Sequence, residues 1–101
     1  MELNSRLSGR KVVRRQRVHD YEQLFLDDGA IINLFNRHKW FGPEWRSEAT
    51  PTITAVEQHD QWFEIKFADA SRVRIGLADD DFIGPEAVQY IAPDRVSIIL
   101  S

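Results

Sequence analysis

The chain contains no cysteine. Disulfides and thiolate chemistry, whether nucleophilic, redox or metal-binding, are therefore excluded. Glycine and proline are scarce, five and four in 101 residues, which excludes collagen-like and low-complexity architectures. No apolar run approaches the ~20 residues that a membrane-spanning helix needs. The segment from Met1 to Arg10 is polar and lacks the apolar stretch of a signal peptide. A cytoplasmic location is the expectation. Absent too are a Gly-x-Ser-x-Gly elbow, a phosphate loop and a dinucleotide fingerprint.

What is present points to one globular domain. A chain of 101 residues, 43% apolar and 29% charged, holds a single core. The net charge of -3 conceals a split. Residues 1–17 carry six basic side chains and one acid, a balance of +5, and the remainder balances at -8. A basic segment of this kind can meet phosphates, lie against the protein's own acids, or keep an edge strand soluble.

Alternation of apolar and polar residues is the strongest local signal. It predicts strands at Lys11–Val18, Tyr21–Leu26, Ala30–Phe35, Pro51–Glu57, Trp62–Ala68, Arg72–Leu77 and Arg95–Leu100. In the first, Val12 and Val18 are expected on one face. Asp28-Gly29 between apolar runs is a hairpin signal, because such turns need positive φ. Residues 1–9 read as a loose leader with Leu3 and Leu7 as its only anchors. Arg37–Thr50 and Asp79–Ala92 read as connections, each with a Gly-Pro-Glu triplet (Gly42-Pro43-Glu44 and Gly84-Pro85-Glu86). Proline at a first helical position and glutamate beside it predict a one-turn helix at each.

The sequence also repeats. Leu24, Leu26, Asp28, Ile32 and Leu34 match Ile65, Phe67, Asp69, Val73 and Ile75 at an offset of 41, and the Gly-Pro-Glu triplets match at 42. The units span approximately 11–50 and 51–93. The expected fold is all-β: a seven-stranded antiparallel sandwich or partly open barrel built from two similar three-strand meanders, with the Gly-Pro-Glu connections crossing between halves.

From Phe67 to Leu77, and on through Gly84-Pro85-Glu86-Ala87, the pattern resembles small bacterial proteins of unknown function. These carry a strand, an Asp-Gly-type turn, a second strand and a Gly-Pro-Glu-Ala segment. Ala70 stands where they usually have Gly. Some all-β proteins of this size resemble immunity or accessory proteins. The resemblance brings no catalytic residues.

The chemistry-bearing residues are few. His19-Asp20 and His59-Asp60 are ordinary polar turns before they are metal ligands, and neither a metal nor a cofactor is assigned. Asp79-Asp80-Asp81 lacks the calcium-loop spacing. Aromatic content carries more. Trp40, Phe41 and Trp45 crowd one connection, while Tyr21, Phe25 and Phe35 lie opposite Leu24 and Leu26. These six residues are the expected contact set of a non-enzymatic, protein-interaction module, with self-association as one form of it. The alternatives are a small-molecule pocket or minor enzyme between the halves using His38, Glu44 or Glu86, and nucleic-acid binding through residues 6–17.

Overall fold

The computed structural model describes residues 2–45, 50–81 and 86–100. Among them are nine strands in two antiparallel sheets, one short helix and one 3-10 turn, with no closed barrel. The strands are β1 (Val12–Val18), β2 (Tyr21–Leu26), β3 (Ile31–Leu34), β4 (His38–Phe41), β5 (Ile53–Gln58), β6 (Trp62–Phe67), β7 (Arg72–Gly76), β8 (Val88–Ile91) and β9 (Ser97–Leu100). One sheet runs β1-β2-β3-β8-β9 and the other β4-β7-β6-β5. At one corner the sheets are joined by a Lys11–Thr52 bridge and by hydrogen bonds from Val12 N to Pro51 O and from Ile53 N to Arg10 O. No helix among the described residues is long and apolar enough to cross a membrane.

The inner faces carry the core. Leu24, Leu26, Ile32 and Leu34 on one meander face Ile65, Phe67, Val73 and Ile75 on the other, all buried. Strand period 2 places them so, and each sheet covers the other's apolar face.

Three parts depart from the sequence expectation. The leader forms a helix, α1 (Glu2–Leu7), whose Leu3 and Leu7, one turn apart, are both buried. Asn4 Oδ1 accepts a hydrogen bond from Val56 N, so α1 covers the edge of β5. The residues read as a connection contain β4, and those read as helical contain β8. Both strands alternate when paired: His38 and Trp40 lie over Ile75 and Val73, and Val88 and Tyr90 over Leu34 and Ile32. Tertiary pairing overrides the local helix signal. No helix forms at Pro43 or Glu44, and the expected turn at Gly84-Pro85 lies outside the described residues.

The two meanders share a register. Each β1–β2 pair (Val12–Leu26 to Arg17–Glu22) has a β5–β6 counterpart 41 residues on (Ile53–Phe67 to Gln58–Phe63). Even the bulge recurs, between Val12 and Arg14 and between Ile53 and Ala55. That bulge separates Val12, which faces the core, from Val18, which faces outward with Tyr21. Asp28 Oδ1 accepts from Ala30 N at 3.0 Å and Asp69 Oδ1 from Ser71 N at 2.9 Å, one turn made twice.

The fourth strand of each sheet is exchanged. β4 follows the first meander but pairs with β7 of the second, and β8 follows the second but pairs with β3 of the first. Their pairings match at an offset of 50: His38 opposite Ile75 corresponds to Val88 opposite Leu34, and Trp40 opposite Val73 to Tyr90 opposite Ile32. In the first half the crossing occurs at residues 35–37, before Gly42-Pro43-Glu44. By strand position the counterpart of Gly42-Pro43 is Ala92-Pro93, not Gly84-Pro85.

Candidate functional site

At the inner corner formed by β1, β2 and β4, charge replaces core between the sheets. Glu22 is in phase with Leu24 and Leu26, points between the sheets and is 3% exposed. The bulge in β1 shifts that strand's phase, so Arg15 and Arg17 stand on the same inner face as Glu22. The crossing from β3 delivers β4 with His38 and Trp40 turned inward.

The resulting network is closely bonded. Glu22 Oε1 lies 2.7 Å from His38 Nε2 and accepts from Trp40 Nε1 at 3.0 Å. Its Oε2 accepts from Arg15 Nε at 2.6 Å, and Arg17 approaches to 3.9 Å. The other ring nitrogen of His38 lies 2.8 Å from Asn36 O. Both partners of the ring are acceptors, so it bonds both only when each nitrogen carries hydrogen. Burial alone would push the Glu22 carboxyl up. The hydrogen bonds from His38, Arg15 and Trp40, with the Arg15 charge, outweigh burial and hold it at about 2.

The tryptophans complete the corner. The Arg15 guanidinium sits 4.1 Å from the Trp40 ring, and Trp40 meets Trp45 edge-on at 4.8 Å. Both pack on Phe67, and Trp45 Nε1 donates to Ser71 Oγ at 2.9 Å.

A cavity of about 320 Å³ opens beside this network, lined by Arg17, Asp20, Asn36, Arg37 and His38. Asn36 is 1% exposed and its Nδ2 donates to Gly76 O at 2.7 Å. Its Oδ1 is buried without a partner among the described residues. Such a group costs about 1–3 kcal/mol, and so it asks for a donor.

The six aromatic residues singled out from the sequence fall in three places. Trp40 and Trp45 lie at the inner corner, partly buried against the core. Phe41 lies on the outer face of the four-stranded sheet under Lys39, Arg72 and Arg74. Tyr21, Phe25 and Phe35 lie on the outer face of the five-stranded sheet, where Tyr21 and Phe35 meet at 5.0 Å. Glu44 is exposed and is not part of the corner or of its cavity, and neither is Glu86. No group of three or more His, Asp or Glu among the described residues could hold a metal ion.

Sequence reading missed Glu22, Arg15 and Asn36. A signal for Glu22 existed: it is an acid at the apolar phase of an alternating strand. For Arg15 the bulge hides the phase.

Comparison with family models, curated proteins and solved structures returned no match.

Proposed function

We propose that the chain is a non-enzymatic protein-interaction module that pairs with a second copy of itself through the outer face of the five-stranded sheet. The observation that carries this reading is the chemistry of that face. Strand pairing aligns Arg14, Phe25, Ile31 and Ile91 in one row and Gln16, Gln23, Asn33, Gln89 and Ile99 in the next. Val18 and Tyr21 pair beside them, with Phe35 against Tyr21. Arg14 is the one charged strand residue on the face.

The amides of the middle row are already bonded to each other. Gln23 Nε2 donates to Asn33 Oδ1 at 3.0 Å, and Asn33 Nδ2 to Gln89 Oε1 at 3.1 Å. Covering them therefore costs little desolvation. A face with a single cation also meets its own copy without like-charge repulsion across its centre, which suits an isologous two-fold contact. The free edge beside it, β9, is uncharged, with Ile99 46% exposed. The outer face of the other sheet is laced with charge (Lys39, Glu57, Lys66, Arg72, Arg74, with Glu64 buried beneath Arg72 and Arg74) and is less suited to such a contact.

The nucleic-acid alternative is less well supported. Arg15 and Arg17 face Glu22, Arg14 covers Phe25 and Arg10 approaches Asp27. These cations are directed at their own chain.

Light scattering across a concentration series tests the proposal. The expected mass is twice the 11.8 kDa of one chain. Ile99→Glu and Phe25→Glu are each expected to return it to one chain with the far-ultraviolet spectrum unchanged. A single-chain mass for the unmodified protein at every concentration refutes the reading.

A further inference from the structure

We propose that α1 is a removable guard on the β5 edge: docked, it keeps that edge from pairing, and lifted, it lets β5 of a second copy add there antiparallel. β5 ends the four-stranded sheet, and its Val56 N–H turns away from β6. An edge with unpaired backbone groups is a template for another strand. β1, the counterpart edge of the five-stranded sheet, carries Arg14, Arg15 and Arg17. At the repeat offset of 41 these become Ala55, Val56 and Gln58. β5 therefore lacks the charges that protect β1, and α1 lies where they are missing.

The guard does the work of a strand with other groups. Residues 9 and 10 take both backbone groups of Ile53: Gly9 N–H donates to Ile53 O, and Arg10 O accepts from Ile53 N, each at 2.8 Å. Further along, Asn4 Oδ1 replaces a strand carbonyl and accepts from Val56 N–H at 2.8 Å. Ser8 Oγ donates to the same oxygen at 3.2 Å. Leu3 and Leu7 pin the helix through their buried side chains. Six residues are too few for a helix to persist undocked in water, so α1 docks or melts as a unit.

The exposed edge fits its own copy. In an antiparallel ladder the N–H and C=O of one residue point the same way, so a two-fold axis at Val56 pairs it with the partner's Val56. Ala55 then faces the partner's Glu57, which leaves no like charges directly opposite. Lys66, beside Ala55 in the sheet, flanks the incoming carboxylate. The face proposed above for self-pairing belongs to the other sheet, so the inference does not rest on it.

Hydrogen exchange of the unmodified chain tests the removal. The amides of Ser8, bonded to Asn4 O, and of Val56 are expected to exchange together, at least about a hundredfold faster than those of the central strands β6 and β7. Variants in a Phe25→Glu background, where the other face makes no contribution, test the edge. Asn4→Leu removes the acceptor. It is expected to speed Val56 exchange at least about tenfold and to raise the light-scattering mass towards twice that of Phe25→Glu as concentration rises. Asn4→Asp keeps an acceptor and is expected to match Phe25→Glu in both readouts. Adding Thr54→Lys, a charge on β5, is expected to return Asn4→Leu to the Phe25→Glu mass. Exchange of Ser8 and Val56 as slow as that of the central strands overturns the proposal, and this measurement decides if Asn4→Leu fails to fold. So does an Asn4→Leu chain that folds and keeps the Phe25→Glu mass. Association that Thr54→Lys does not reverse overturns it too, since it would lie on another surface.

Discussion

Replacing Glu22 by glutamine removes the negative charge at the inner corner while leaving an oxygen for His38 and Trp40. The carboxyl stands at about 2 in the folded chain against an ordinary 4.5. A difference of that size is worth about 3 kcal/mol of stability. The folded value is below the unfolded one, so this contribution is complete above about pH 4.5 and is lost as pH falls towards 2. Urea unfolding of both proteins from pH 7 to pH 2 measures it. At pH 7 Glu22→Gln is expected to be less stable by about 2–3 kcal/mol, and the two curves should converge near pH 2. The half-exposed Glu57, also lowered, by Lys66 and then His59, contributes equally to both proteins and drops out of the difference. A gap between the two proteins that stays constant over this range would refute the reasoning. It would mean that Glu22 acts through shape and not through its charge.

Two further predictions follow from the turns. Gly29 and Ala70 occupy the same place in their hairpins, with φ of 90° and 72°. Ala70→Gly should therefore raise stability by about 0.5–1 kcal/mol and Gly29→Ala lower it by about 1 kcal/mol, read as shifts in the urea midpoint. A loss of stability in Ala70→Gly would contradict this. Gly42 has φ of 92°, and a Cβ there would lie 2.8 Å from Ser71 Cα and 2.9 Å from Ala70 O. Gly42→Ala combines a strained backbone with a backbone clash and should cost about 3 kcal/mol in thermal or chemical unfolding, where an unchanged midpoint would count against the packing described.

Alternation made the two meanders legible. β2, β6 and β7 start where the pattern says, and the Asp turns lie where glycine or aspartate chemistry places them. Three elements escaped for separate physical reasons. β4 is four residues long and begins with His and Lys, and the proline behind it suggested a helix that does not form at Pro43 or Glu44. β8 follows Glu-Ala, a helix-friendly pair, and becomes a strand only because β3 offers it an edge. α1 was visible in the Leu3 and Leu7 spacing, but six polar neighbours masked it. At the inner corner, Trp40 and Trp45 were legible as unusual. Their acidic partner was not, because nothing local ties Glu22 to His38 and Trp40, 16 and 18 residues away.

The shared registers allow the corner to be compared with its own counterpart. At the offset of 41, Arg15 and Glu22 correspond to Val56 and Phe63. At the offset of 50 that relates the exchanged strands, His38 and Trp40 correspond to Val88 and Tyr90. All four counterparts are buried. The second half therefore closes the same angle between sheets with hydrocarbon and one phenol. The first half instead sets a carboxylate, a guanidinium and an imidazole there, a substitution that carries a desolvation penalty. Apolar residues satisfy this architecture elsewhere in the same molecule, so architecture does not account for the charged set. A polar cavity lined by Arg17, Asp20, Asn36, Arg37 and His38 lies beside the set in the same half. Glu22 holds Arg15 and His38, and the backbone oxygen of Asn36 is tied to that ring. The network thus positions the cavity wall, and its energetic penalty is the cost of a preorganised polar surface.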